Sequence, residues 1–566
     1  MKNFFPALFP VILVLLIIGA YHASNRDFAT ALRPCSIERG STLSGQKILL
    51  VPLDSRPPCS DFVTKAAAIV GDDVVMPPSD IMDYYSKPSE TEKIKSWAND
   101  NISSCDVAII SIDQILYGGL LASRELEKSS ADIAGVVDFL TELHRKYPEK
   151  PLYIFTILPR FVPPDSIDTS SDRKNLMQYS RLVDKTEQSL NPDDEDIAKL
   201  NDLRQTIPPK ILSRYESLFT FHEALTKHLI ELAENGTVTQ LVIGLDDGEK
   251  YGMPNRERRN LENYIGQAKN KSSVFMMHGA DEIALSIVAE MEAKRCSYTP
   301  SIFIDYNDES TAARIMPYMA TTNEANAIEK INFIHGARVA SRGDADFTLF
   351  ISANDYESDT MNTRRANATR IKNLLDAGKS IALVDLAVHF REEETLLPLL
   401  IDEDAPIHRL AAYAGWNTAS NSIGTALAEA VLFDIAKKRA ATTNELIGAS
   451  DKQLLFLDER FIEDCYYLKS TIDTINFSLR KEGYYDVNDL DLDHNTHWAN
   501  DMLSKALKRR IDFLTSSRAY NMPMICTTPS GETLKFTVKN LKADAYFPWP
   551  RTFEIRLTTK HDLMTE

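Results

Sequence analysis

A short apolar run that stops abruptly at a polar corner recurs along this chain, and it narrows the available folds more than any other feature. The first instance is Lys47-Ile-Leu-Leu-Val-Pro-Leu-Asp54-Ser-Arg56-Pro-Pro58. Apolar residues run from Ile48 to Leu53, Asp54 and Arg56 follow, and two prolines forbid continuation. Comparable runs occupy 107–112, 152–158, 240–245, 273–277, 301–305, 347–352, 381–385 and 410–413. Most are separated by stretches in which apolar residues recur at helical spacing, among them 133–146, 224–234, 284–294 and 366–377. A strand that is apolar throughout has to be covered on both faces. The alternation therefore predicts an α/β fold: parallel sheet with helices on both faces, doubly wound, in one lobe or in two Rossmann-like lobes. A (β/α)8 barrel is the alternative, because it presents the same pattern and places its site at the same strand ends.

At 566 residues the chain can bury a large core and is expected to form two or three domains. The pattern divides it into a targeting or anchoring segment at 1–23, a polar linker at 24–46, an α/β domain at 47–300, a second α/β domain at 301–430, and a helical and β region at 431–566. A charged helical insertion at about 172–235 interrupts the first domain and reads either as a lid over the sheet or as a plain helical hairpin. Alternating runs at 533–538 and 552–557 are expected to pair as strands. At the N-terminus, Lys2 precedes an apolar stretch over 4–21 that only Pro6 and Pro10 interrupt. Its length suits a signal peptide or a single membrane span, and either leaves the remainder of the chain outside the cytosol. The six cysteines are even in number, which in an exported chain permits disulfides, but their spacing specifies no pairing. A formal net charge of -18 argues against nucleic acid as a partner.

In parallel α/β sheets, ligands bind beyond the carboxyl ends of the strands. That rule turns the polar corners into candidate site residues: Asp54 and Arg56 after the first run, Asp113, Tyr117 and Arg124 after the second, and Asp246-Asp247 after 240–245. His278, Asp281 and Glu282 follow 273–277, Asp385 closes 381–385, and Trp416, Asn417 and Asn421 follow the last run. Each acidic residue also has a plainer reading as the cap of the next helix. The adjacent pair Asp246-Asp247 is the most pointed, because neighbouring carboxylates repel unless a cation, a proton or hydrogen bonds compensate. Those two are expected to be the catalytic residues, and the others to bind substrate. An indole beside two amides, as in Trp416-Asn417 with Asn421, suits a sugar, whose ring faces stack on aromatics while its hydroxyls bond to amides. The competing reading makes Asn417 or Asn421 a helix cap in a stretch of small residues.

No glycine-rich dinucleotide fingerprint, phosphate-binding loop, nucleophile elbow or HExxH pair occurs. No cofactor is expected, and no histidine spacing compels a metal.

Several stretches together resemble the domain-of-unknown-function 4127 family (DUF4127). They are Val51-Pro-Leu-Asp-Ser-Arg-Pro57, Tyr117-Gly-Gly-Leu-Leu-Ala-Ser-Arg124, Asp246-Asp247, His278-Gly-Ala-Asp-Glu282, Tyr413-Ala-Gly-Trp-Asn-Thr418 with Asn421 to Gly424, and Pro548-Trp-Pro-Arg-Thr-Phe-Glu554. The resemblance covers nearly all of the chain beyond the linker. It implies a shared fold and site position, and no particular reaction.

The expectation from the sequence is an exported or membrane-anchored hydrolase that acts on a small or polymeric saccharide, through a glycosidic bond flanked by paired carboxylates. A non-catalytic saccharide- or cell-wall-binding protein is the alternative, and a metal-dependent hydrolase a third reading.

Overall fold

A computed structural model describes residues 40–565 except Leu126, Asp165, Asp168, Lys269 and Asn488. The expected signal or anchor at 1–23 and most of the linker lie outside the described residues. Among the described residues, no helix is long and apolar enough to cross a membrane.

The fold is α/β, with two parallel sheets. The first contains β1 (Lys47–Val51), β2 (Asp73–Val75), β3 (Val107–Ser111), β4 (Leu152–Leu158), β5 (Gln240–Leu245) and β6 (Val274–His278), in the order β2-β1-β3-β4-β5-β6. The second contains β7 (Ser301–Tyr306), β8 (Ala337–Arg338), β9 (Phe347–Asn354), β10 (Ile381–Ala387) and β11 (Ala412–Ala414), in the order β11-β10-β9-β7-β8. Every pairing within these two sheets is parallel. Both sheets follow one rule: the second strand lies outside the first, and the third starts growth in the opposite direction. Each is therefore doubly wound, with its reversal point between β1 and β3 or between β7 and β9. No closed barrel is detected among the described residues.

Each of the nine unbroken apolar runs read as a strand is a strand, with boundaries moved by a residue or two. Within these two sheets the pattern missed β2 and β8, edge strands of three and two residues that are too short for any periodicity to register. Period-2 geometry explains the unbroken apolar runs. Ile48 and Leu50 of β1 enter one apolar cluster, while Leu49 and Val51 enter another on the opposite face. Helices Ser130–Lys146 and Pro209–Glu234 contribute Val136, Leu140, Leu225 and Leu229 to the second cluster.

The first cluster runs on into the second sheet. Helix Ile283–Arg295 lies against β4, helix Ala419–Arg439 lies against β9, β10 and β11, and the two helices pack on each other. Their sequences are apolar or small on nearly every side because nearly every side is buried. Small residues set the spacing. Gly244 in β5 allows the sheet to approach the helix so closely that a Cβ there would lie 2.4 Å from Ile283 Cδ1.

The segment expected as a helical insertion forms helices Ser170–Gln188, Asp194–Thr206 and Pro209–Glu234, with an apolar cluster of its own that includes Leu176, Leu203 and Phe219. It grips the chain after β5. Ser180 Oγ accepts the Met253 N–H at 2.8 Å, Asp184 Oδ2 accepts the Gly252 N–H at 2.8 Å, and Arg181 pairs with Glu249 at 2.7 Å. The C-terminal region closes with an antiparallel sheet of β12 (Met524–Thr527), β13 (Thr533–Tyr546) and β14 (Arg556–Thr565). The run expected at 552–557 thus begins its strand later, after the Pro548–Glu554 segment. Among the described residues Cys59, Cys105, Cys296, Cys465 and Cys526 are free, and Cys35 lies outside them.

Glu282 shows how tightly the layers meet. It is buried, bonds to the buried Lys330, and sits where a Cβ on Gly424 would come within 2.5 Å of its Cγ. Gly424→Ala should therefore destabilise the protein by about 1–3 kcal/mol in urea unfolding, through overpacking. Gly135→Ala, in an exposed helix position with nothing within 4 Å of the new Cβ, should stabilise it by about 0.5–1 kcal/mol.

Candidate active site

The carboxyl ends of both sheets, together with the Pro548–Glu554 segment, surround a cleft of about 460 Å³. Arg56, Arg124, Arg160, Asp246, Asp247 and Asp281 line it from the first sheet's side, Phe390 and Asn417 from the second sheet's side, and Arg551 and Phe553 from the C-terminal segment.

At its base lies a buried charge cluster. The guanidinium of Arg56 donates to Asp54 Oδ2 from Nε at 2.9 Å and from Nη2 at 2.7 Å, and Nη2 also donates to Asp281 Oδ1 at 2.6 Å. Asp54 Oδ1 accepts the Arg56 backbone N–H at 3.0 Å, so the corner after β1 folds onto its own aspartate. Burial opposes the charge on Arg56, but Asp281 and Asp54 outweigh it and raise its pKa. Burial also pushes Asp281 up to about 6 against the pull of Arg56. Asn421 lies just behind, donating from Nδ2 to Asp281 Oδ2 at 3.3 Å and accepting the Ala280 N–H at 3.4 Å.

Asp246 and Asp247 occupy the corner after β5. The loops around them fix that corner: the Phe161 N–H donates to Asp247 O at 3.1 Å, and the Gly248 N–H to Tyr318 O at 3.0 Å. Asp246 bonds to Arg124. Although burial works against its charge, Arg124 and Arg160 hold its carboxyl below the usual range. Asp247 goes the other way. Burial, and then the negative charge of Asp246, raise it to about 7. Two carboxyl groups adjacent in sequence therefore differ in protonation near neutral pH, the arrangement acid–base catalysis requires.

The C-terminal wall is tied down by several contacts. Arg551 is clasped by Glu554 at 2.6 Å, and its guanidinium carbon stands 4.8 Å from the Trp549 ring centroid and 5.3 Å from that of Phe553. Trp549 Nε1 donates to Ser55 Oγ at 2.9 Å, which ties this distant segment to the end of β1. Arg124, Leu121 and Arg551 also border a second chamber of about 480 Å³ that includes Tyr85, so the hollow continues past Arg124.

The structure brings Arg56, Arg124, Asp246, Asp247, Asp281 and Asn417 to one cleft, with Asp54 and Asn421 directly behind. His278 lines a narrow recess beside Asp246 and Asp247, with its Nδ1 3.0 Å from Glu329 Oε2. Asp113, Tyr117, Glu282, Asp385 and Trp416 do not line the cleft. Asp113 is fully buried; its Oδ2 accepts the Ile157 N–H at 2.9 Å, and burial raises it to about 6. Tyr117 faces a separate pocket of about 220 Å³ next to His222. Glu282 is locked to Lys330. Asp385 accepts the N–H groups of Leu396 and Leu397 and so caps helix Leu397–Asp402, the plainer of its two readings. Trp416 is 1% exposed and packs edge-on against Phe62 and Phe553. Its ring belongs to the core and offers no face to a sugar; the aromatic side chains in the cleft are Tyr318, Phe390 and Phe553.

Arg160, Tyr318, Phe390, Arg551 and Phe553 were not among the expected site residues. Arg160 had a signal, since it follows β4 at Pro159-Arg160. Arg551 and Phe553 lie in a stretch that carried the family resemblance. Nothing in local sequence distinguishes Tyr318, which reaches the cleft from a loop between strands.

Comparison with known proteins bears on the whole arrangement. The family model described as protein of unknown function (DUF4127) matches residues 48–558. The chain belongs to the DUF4127 family. Every element lining the cleft falls inside the matched span, so the site is built entirely from the DUF4127 region. No curated protein and no solved structure was found to match the chain.

Removing one partner of a buried ion pair leaves the other charge without compensation. Arg56→Ala should cost about 3–5 kcal/mol in chemical denaturation. Lys95→Ala, which breaks a pair with an exposed glutamate on one helix, should cost less than about 1 kcal/mol.

Proposed function

We propose that the cleft is the active site of a hydrolase acting on carbohydrate, and that it cleaves a glycosidic bond. The observation that carries this reading is the split between the neighbouring carboxyls: Asp247 raised to about 7 and Asp246 held ionised by Arg124. In that reading the protonated Asp247 donates its proton to the departing glycosidic oxygen. Ionised Asp246 faces the positive charge that builds at the anomeric carbon, and water supplies the hydroxyl that completes hydrolysis. Arg56, Asp281 and Asn417 offer donors and acceptors to sugar hydroxyls, and Tyr318, Phe390 and Phe553 offer ring faces. The second chamber behind Arg124 gives room for more than one sugar unit. We place the protein outside the cytosol, exported or anchored through residues 1–23.

Release of reducing ends from a panel of glycosides and oligosaccharides tests the reading. With an accepted substrate, Asp247→Asn should lower turnover by about 10²–10⁴-fold while the variant still binds that substrate. Because the acid must be protonated, activity of the wild type should fall as pH rises through about 7. Full turnover in both Asp247→Asn and Asp246→Asn would overturn the assignment. Saccharide binding without any turnover by the wild type would favour a non-catalytic binding protein.

A further inference from the structure

The second sheet has the same winding as the first, and the carboxyl ends of its neighbouring strands β9 and β10 also carry polar side chains. Asp355 follows β9 directly, His389 comes two residues after the neighbouring strand β10, and Glu394 closes the short turn Glu392–Glu394. One ligand-type atom from each lies within 4.8 Å of the others. His389 Nδ1 is 2.7 Å from Glu394 Oε1 and 3.7 Å from Asp355 Oδ1. We propose that Asp355, His389 and Glu394 form a binding site for a divalent transition-metal cation of the zinc type, next to the cleft and independent of Asp246 and Asp247.

The geometry is close to what such an ion needs. Tetrahedral zinc with bonds of about 2.0–2.2 Å holds its ligand atoms roughly 3.3 Å apart. The two separations given above lie on either side of that value, and all three ligand atoms lie within 4.8 Å of one another, so side-chain adjustment would seat the ion. The ligand types also fit, since one imidazole nitrogen and two carboxylate oxygens suit zinc better than calcium or magnesium, which favour all-oxygen shells. Two carboxylates and a neutral imidazole supply two negative charges to a dication.

The carboxylates are also held in place by backbone N–H groups. Glu394 is fully buried; its Oε2 accepts the His389 N–H at 2.8 Å and its Oε1 the Tyr356 N–H at 3.2 Å. Asp355 Oδ1 accepts the Glu357 N–H at 3.0 Å. Outer hydrogen bonds of this kind orient the ligands of metal sites. The nearby cations are engaged with aromatic rings: Arg391 stands over Tyr356 at 4.6 Å, and Lys469 over Phe390 at 4.4 Å. Three protein ligands leave a coordination position open on the side where His389 is exposed. The site also bears on the cleft. Phe390, next to His389, is in the left-handed region at φ 57° and lines the cleft, so an ion on His389 would brace the turn that presents that ring.

Chelator-treated, dialysed protein titrated calorimetrically with zinc chloride tests the site, with magnesium chloride run alongside. The wild type should bind one zinc per chain and show no comparable response to magnesium. His389→Ala and Asp355→Asn should each weaken zinc binding by at least about tenfold, whereas Asp247→Asn should bind as the wild type does. Circular dichroism establishes that each variant folds; if His389→Ala does not, Asp355→Asn decides. Absence of one-to-one zinc binding by the wild type, or unchanged binding by the folded ligand variants, would overturn the proposal. Neither result depends on whether the cleft hydrolyses carbohydrate.

Discussion

The buried guanidinium of Arg56 holds the site's architecture together. It joins Asp54, at the end of the first strand, to Asp281, which lies 225 positions away in sequence. Burying three charged groups is costly, and a well-packed apolar replacement often does as well for stability. What the cluster contributes is geometry. Asp281 cannot leave without stranding a charge, and Asp281 in turn receives Asn421 from the helix that covers the second sheet. The relative placement of the two sheets is thus expressed at the cleft through directional bonds as well as through apolar contact.

The polar corners of the strands then divide into two kinds, and neighbouring helices decide which is which. At one kind the carboxylate is drawn down onto the N–H groups at the start of a helix, as at Asp385. At the other kind, as after β5, the side chains remain available to the cleft and arginines from neighbouring corners gather around them. Arg124 and Arg160 come from the two corners preceding Asp246 in the chain, and they set its protonation apart from that of Asp247. The helical insertion contributes indirectly: by gripping Glu249, Gly252 and Met253 it holds the end of this loop that leads into the next helix.

The second sheet repeats the winding of the first with a different set of corner residues. Its β10–β11 side faces the cleft through Phe390 and Asn417, and Asn417 adopts the left-handed conformation at φ 54° that asparagine tolerates better than most residues. The β9–β10 corner gathers Asp355, His389 and Glu394 instead. Two copies of one topology, joined back to back through apolar helices, therefore present chemically distinct ends within a short distance of each other.

Hydrophobic period and chain punctuation by themselves determined the α/β class and the long strands, because an unbroken apolar run bounded by prolines or aspartates has few other ways to bury both faces. They also determined which corners were polar, and so where a site could form. Short edge strands such as β8 were not legible, since two residues carry no period. Only the tertiary structure decided which corners converge. Asp113 and Asp281 look alike in sequence, yet one is sealed in the interior against β4 and the other faces the cleft. Trp416 looks like a binding residue and is core, because Phe62 and Phe553 close over it from distant parts of the chain. The division between the two protonation states at Asp246-Asp247 was equally invisible. It comes from through-space fields of Arg124 and Arg160, and such fields depend on distances that no local pattern encodes.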